Sequence, residues 1–322
     1  MKLNKWIIPL YTCSLIFPLS SSSWLNIWIG LEINLMMFIL ILNKKKSTFM
    51  SESTMKYFLI QASSSLIFLL SMSMNMTYYN EWPLIWALVP PLALMMKMGI
   101  APIHMWVVET AKNFCPHSLF LFLTLQKVNP LMIIYSSWSS IVFLLSLINV
   151  MVGSIMGINE SSMNKMLISS SISNSGWMIC SLTISNLMFL ITFCTYMILL
   201  FNLMLVNSYL KIKWVMQMKS NSIFKKTLMY STFMSMSGLP PFLGFVPKWM
   251  MIKEMIMFIP FYTWMFIIFS SLNLFFYMKS SLMMMMTTQE NKKWLCTMIF
   301  SYKYIITTAV NMMGIPMFSM LM

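Results

Sequence analysis

The sequence predicts an all-α polytopic membrane protein, and three observations carry that prediction. Apolar runs of about 20 residues, the length that crosses a bilayer as a helix, recur from one end to the other. Hydrophobic residues make up 59% of the 322 and charged residues only 9%. The polar residues fall in short Ser, Asn and Lys clusters between the runs, whereas a soluble core of this length would alternate apolar and polar faces. No stretch is left over for a water-soluble domain.

Each run is read as one helix, which gives about eleven transmembrane helices. The first lies near 3–20. Its start, MKLNKWIIPLYTCSLIFPLSSSS, is like a secretory signal, but the apolar part holds Pro9 and Pro18 and leads directly into another hydrophobic run, so it is read as a spanning helix. Further spans are expected near 24–43, 55–76, 84–104, 117–136, 138–158, 163–183 and 186–210. The next stretch, 227–257, is too long for one ordinary span and has Gly238-Leu239-Pro240-Pro241 at its middle, which predicts two half-helices around a break. Spans near 258–280 and 296–320 complete the set.

Lysine placement tests this count, because a wrong number of helices would scatter the loop cations over both sides. With eleven spans, Lys2, Lys5, Lys44, Lys45, Lys46, Lys56, Lys112, Lys211, Lys213, Lys219, Lys225, Lys226, Lys292 and Lys293 all fall on the N-terminal side. Only Lys248 and Lys253 are candidates for the other side. The positive-inside rule then puts the N-terminus in the compartment where the chain is made. The net charge of +14 is accounted for as a topology signal helped by anionic lipid, and requires no nucleic acid.

All 21 cations are Lys, all 7 anions are Glu, and 42 residues are Met. That bias matches a very AT-rich gene read with a mitochondrial code, which points to organelle encoding and to a matrix-facing N-terminus. Cys13, Cys115, Cys180, Cys194 and Cys296 form no C-x-x-C pair, so neither a disulfide framework nor an iron–sulfur site is signalled. His104 and His117 each sit close to a proline in a bent connection, a poor arrangement for holding a haem. Neither G-x-G-x-x-G nor a Walker sequence occurs, and any redox chemistry is assigned to a partner.

Gly99-Ile100-Ala101-Pro102 interrupts the fourth span much as Gly238-Leu239-Pro240-Pro241 interrupts the ninth. Two five-helix units with an odd number of spans have opposite orientation, so residues 1–136 and 137–282 are expected to form inverted five-helix repeats, with 283–322 adding a loop and a final helix. Inverted-repeat transporters build their ion sites at such broken helices. GSIMG, from Gly153 to Gly157, is a small-x-x-x-small face that suits either a partner subunit or internal packing.

Four charges lie deep in the spans: Glu32 in IWIGLEINLMMFILIL, Lys97 beside the first break, Lys127 in FLFLTLQKVNPLMII and Lys248 after the second break. Each costs about 2.5–3.5 kcal/mol on insertion scales and is functional by default. Lys248 could alternatively anchor the interface beside Trp249, and Lys165 is read as interfacial. Proton handling suits the set, since burial disfavours an ammonium and a nearby carboxylate restores it. Moving a proton against ~200 mV needs roughly 4.6 kcal/mol, whereas charges about 10 Å apart at an effective dielectric near 20 interact by roughly 1.7 kcal/mol. One such contact falls short, so a chain of Glu32, Lys97, Lys127 and Lys248 is expected, linked by water and by Ser63, Ser64, Gln126, Asn129 and His104.

WIGLEINLMMF, KYFLIQASSS, KMGIAPIHMWVVE, LQKVNPL, GINESSMNKMLISSSISNSGWM and MSGLPPFLGFVPKW, in order from about 28 to 249, resemble the signature stretches of the subunit 2 family of mitochondrial NADH:ubiquinone oxidoreductase, respiratory complex I, in its animal form. The resemblance implies an antiporter-like core subunit of the membrane arm, multi-pass in the mitochondrial inner membrane. It implies a carboxylate–lysine pair at Glu32 and Lys97, a connecting Lys127 and a distal Lys248, with His104 and Glu109 as accessory groups. It also implies that FMN, the iron–sulfur clusters, NADH and ubiquinone are bound by partner subunits and none by this chain. The expected partners are other complex I subunits, especially neighbouring antiporter-like ones, and phospholipid such as cardiolipin. Two departures stand out. Asn159-Glu160-Ser161 replaces the usual N-Q-T, and Asn174 stands where the family usually has a histidine. Asn174 cannot titrate, so bound water would have to substitute there. The rival readings are a stand-alone cation/proton antiporter of the related multi-subunit type, and a non-transporting scaffold whose buried charges only pair.

Overall fold

A computed structural model of the chain describes residues 3–43, 47–78, 83–210, 212, 214, 217, 223–285, 302–314 and 316–317. The described residues form no strand, only helices and one isolated bridge between Ser162 and Trp214. In chain order the helices are α1 (Leu3–Ser20), α2 (Trp24–Leu42), α3 (Thr48–Tyr78), α4 (Pro83–Met98), α5 (Met105–Ala111), α6 (Pro116–Leu123), α7 (Leu125–Ser137), α8 (Ser139–Gly157), α9 (Met163–Ile184), α10 (Asn186–Leu210), α11 (Ile223–Ser237), α12 (Phe245–Phe258), α13 (Pro260–Met285) and α14 (Tyr302–Met312). Among the described residues, five stretches are long and apolar enough to cross a membrane: Trp24–Leu42, Thr48–Met74, Pro116–Ser137, Asn186–Leu210 and Pro260–Met285. The start of the eleventh expected span and Lys2, Lys44, Lys45, Lys46, Lys211, Lys213, Lys219, Lys292 and Lys293 lie outside the described residues.

The distribution of polarity is the reverse of that in a soluble protein. Leu25, Phe49 and Trp264 are 62%, 70% and 67% exposed, while Ser64, Asn129, Ser175 and Asn311 are fully buried. Apolar side chains can face lipid without cost, and small polar side chains let helix backbones approach closely. Helix α9 shows the consequence: Ser169, Ser170, Ser171, Ser173 and Ser175 are all buried, and each returns its hydroxyl to a carbonyl three residues earlier at 2.6–2.9 Å.

The chain divides into two compact units, Met1–Leu145 and Ser146–Met322. In the first, α2 packs against α1 and α3, α3 against α4, and α7 against α4 and α1. Phe38 sits at the centre of an aromatic cluster with Tyr11, Tyr57, Phe114 and Phe122. In the second, α10 packs against α9 and α11, and α13 against α11 and α12. Here the Gly153 motif proves to be an internal packing face. A Cβ on Gly153 would strike the backbone of Ser169 and Ser173, and one on Gly157 would strike the ring of Phe276.

Two expectations need correction. The fourth span does not run to 104; α4 stops at Met98, because Gly99 takes the left-handed conformation at φ +63° and Pro102 cannot donate to a continued ladder. The fifth span is itself interrupted at Thr124, where φ is −114° and ψ −82°. The Thr124 hydroxyl donates to Phe120 O at 2.6 Å, and Pro130 removes an amide from the next turn.

Candidate functional site

Ending a helix leaves its last carbonyls without partners, and in each unit the break is finished in the same way. At the first, Gly99 N–H donates to Met95 O at 2.9 Å and Ile100 N–H reaches the same oxygen at 3.4 Å. At the second, Gly238, at φ +83°, donates to Met234 O at 3.2 Å, and Leu239 N–H reaches that oxygen at 3.4 Å. Both are left-handed glycine caps. Gly99 also has no room for a side chain, since a Cβ would strike Val107.

In the first unit, Lys97 lies in the last turn of α4, the negative end of that helix dipole, with its side chain 4% exposed. Its ammonium stands 3.9 Å from Glu32 Oε1 on α2. Gln61 on α3 donates from Nε2 to Lys97 O at 3.0 Å, supplying a partner at the cut end of the helix. Lys127 is buried in the first turn of α7, just past the Thr124 interruption, and its amide donates to Thr124 O at 3.1 Å. Beside it, Gln126 and Asn34 exchange amide hydrogen bonds at 3.0 and 3.3 Å, and Gln126 also donates to Tyr11 at 3.2 Å. This cluster ties α7 to α2 and α1.

Other expected members do not gather here. Ser63 is exposed, because it points away from the face on which Ser64 is buried. Glu109 is exposed, and His104 is half-buried at the start of α5 with Nδ1 3.0 Å from Pro102 O. Asn129 is fully buried, and neither of its side-chain amide atoms is hydrogen-bonded among the described residues.

In the second unit, Lys248 in the first turn of α12 donates from Nζ to Ser237 O at 2.8 Å. Ser237 is the last residue of α11, so the ammonium fills a carbonyl released by the break, at the negative end of that half-helix. The alternative role as an anchor beside Trp249 falls instead to Lys253, whose ammonium lies 5.6 Å from that ring. Lys165 pairs with Glu160 at 3.6 Å and is 37% exposed, in keeping with an interfacial position. The final helix also reaches this break: Leu243 N–H donates to Asn311 O at 3.0 Å, and Asn202 Nδ2 donates to Asn311 Oδ1 at 3.2 Å. The final helix expected within 283–322 is α14, and it braces the second broken helix.

Sequence reasoning missed Gln61, Asn34 and Asn311. An Asn or Gln inside an apolar span was the available signal, since a buried amide implies a partner.

The family model for the transmembrane region of NADH:quinone oxidoreductase and Mrp antiporter proteins matches residues 21–307. NADH-ubiquinone oxidoreductase chain 2 of Anopheles gambiae is 32% identical over 335 residues, covering 99% of this chain and 97% of that protein. Among solved structures, a chain of respiratory complex I from Thermus thermophilus aligns with a TM-score of 0.78 at 15% identity, over 97% of this chain and 76% of that one. A chain of the Mrp complex from Dietzia sp. DQ12-45-1b aligns with a TM-score of 0.73 at 16% identity, over 87% of this chain and 59% of that one. The helical fold is thus shared with a chain of each assembly, while the extended sequence identity lies with chain 2, and the chain belongs to the NADH-ubiquinone oxidoreductase chain 2 family, the antiporter-like membrane subunits of complex I.

Proposed function

We propose that this chain couples NADH-to-ubiquinone electron transfer, carried out elsewhere in the complex, to proton translocation through Glu32, Lys97, Lys127 and Lys248. The observation that carries the reading is the Lys97–Glu32 contact of 3.9 Å at the end of a broken helix. At an effective dielectric near 20 that separation corresponds to about 4 kcal/mol of gross attraction, offset in part by desolvation. At the spacing of about 10 Å taken from the sequence, one contact falls short and several must add. At the observed distance the pair can supply part of the roughly 4.6 kcal/mol needed to move a proton against ~200 mV.

Under the same reading, the chain has about eleven spans arranged as two five-helix repeats, sits in the mitochondrial inner membrane with its N-terminus in the matrix, and contacts neighbouring antiporter-like subunits and anionic lipid. FMN, iron–sulfur clusters, NADH and ubiquinone are held by other subunits. The closely similar caps at Gly99 and Gly238 support the repeat.

Membership of the large assembly is tested by resolving gently solubilised membranes on a native gel, locating this chain by mass spectrometry and staining the lane for NADH oxidation. Co-migration with a very large NADH-oxidising band is expected. Migration of the intact chain in a small assembly without that activity would favour an independent antiporter.

A further inference from the structure

Helix α3 holds the two helices that carry Glu32 and Lys97 by bonds one turn apart. Gln61 donates from Nε2 to Lys97 O at 3.0 Å, and four residues further on Ser65 O accepts from Trp28 Nε1 at 3.2 Å. Trp28 lies one turn before Glu32 on α2, so each bond acts on a turn that carries or adjoins one of the two charges. Both α2 and α4 pack along α3. Gln61 is buried, and its uncharged amide takes the place at this break that the Lys248 ammonium takes at the second, where it meets Ser237 O. The Lys97 ammonium is thereby left to face Glu32.

The gap between those charges is wide for a buried pair. At 3.9 Å, Nζ and Oε1 stand beyond the about 2.7–2.9 Å of a charge-assisted hydrogen bond, and Glu32 Oε1 is buried without a hydrogen-bond partner among the described residues. Opposite charges attract across such a gap, and Lys97 stands two residues before the Gly99 break, where α4 has no following turn to hold it back. The two α3 bonds fix the turns from which both charges project.

We propose that α3 is a gauge for this pair and that Gln61 is its positioning residue: by pinning Lys97 O it holds the ammonium just outside hydrogen-bonding distance of Glu32. The inference rests on the proton-translocation reading for its consequence, though not for the gap. A pair closed to hydrogen-bond length would be costly to part at each cycle, whereas a pair held open stays attractive yet separable.

The test is a high-resolution cryo-EM map of the whole complex for the wild type and for Gln61→Met, which keeps the length of the side chain without its donor, together with coupled NADH oxidation in sealed vesicles at equal amounts of assembled complex. The separation of Nζ and Oε1 is expected to stay near 3.9 Å in the wild type and to close to hydrogen-bond length in the variant. Coupled turnover should fall about tenfold, the rate equivalent of the attraction gained on closing at an effective dielectric of about 20. In a Glu32→Gln background, where no pair is left to gauge, Gln61→Met should slow turnover no further. An unchanged or wider gap in Gln61→Met overturns the proposal. When Glu32→Gln itself slows turnover, so does a coupled rate that Gln61→Met leaves unaffected, or lowers equally in both backgrounds, which would mark Gln61 as a structural tie only. If Glu32→Gln leaves coupled turnover unchanged, it is the proton reading that fails, and the gap in the two maps alone decides whether the gauge exists. Should Gln61→Met fail to assemble, Trp28→Phe, which keeps an aromatic ring and removes the other bond, is read for the same closing of the gap.

Discussion

Lys248 donates its ammonium to the backbone carbonyl of Ser237 at 2.8 Å, across a break created by the left-handed Gly238 between them. The Lys248 ammonium is therefore held by the backbone group that the break set free. Gly238 takes part directly, because an added Cβ would sit 3.1 Å from both Cδ and Nζ of Lys248.

Replacing either cap glycine by alanine should destabilise the protein by about 1–2 kcal/mol through the left-handed conformation alone. Gly99→Ala is expected to be the more damaging, since its Cβ also strikes Val107, whereas Gly238→Ala crowds a flexible lysine. Thermal half-lives of the assembled complex should rank wild type, Gly238→Ala and Gly99→Ala in that order.

Glu32→Gln removes the carboxylate from a lysine side chain that is 4% exposed. Breaking a buried pair from one side costs about 3–5 kcal/mol, because the remaining charge is uncompensated. The double variant Glu32→Gln/Lys97→Met should consequently assemble in greater yield than Glu32→Gln alone, as quantified by the chain's abundance in the complex. Equal or lower yield would mean that the pair does not hold α2 to α4.

The reciprocal amide bonds between Asn34 and Gln126 make a different prediction. Interhelical hydrogen bonds in membrane proteins contribute about 0.6 kcal/mol on average and up to ~1.7. Asn34→Leu should therefore shorten the thermal half-life modestly while leaving uncoupler-stimulated NADH oxidation unchanged. A collapse of assembly would show that the cluster does more than fasten α7 to α2.

Removing α14 by ending the chain after residue 301 strips the acceptor from Leu243 N–H and the partner from Asn202. Hydrogen exchange at the Leu243 amide should accelerate, with the effect centred on the second break. Unchanged protection there would contradict the bracing role of the final helix.

Much of this architecture was legible in the chain itself. Bilayer-length apolar runs marked the helices, and Gly followed three residues later by Pro marked both breaks. Glu32, Lys97 and Lys127 stood out because a charge in the middle of a span has no inexpensive explanation. The Thr124 interruption was less visible, since it arises from a hydroxyl competing for a backbone carbonyl, and threonine does this without any sequence signature. Gln61, Asn34 and Asn311 carried a signal as amides inside apolar spans, but their partners did not show in the sequence. Their partners lie 36, 92 and 109 residues away, so only the packing of helices reveals what each amide completes.

The most direct test of the central claim is the number of protons translocated per NADH oxidised in sealed vesicles, comparing wild type with Lys97→Met at equal amounts of assembled complex. The account predicts a lower ratio in the variant, with electron transfer in the presence of an uncoupler preserved. An unchanged ratio at an unchanged rate would show that Lys97, for all its burial beside Glu32, carries no proton.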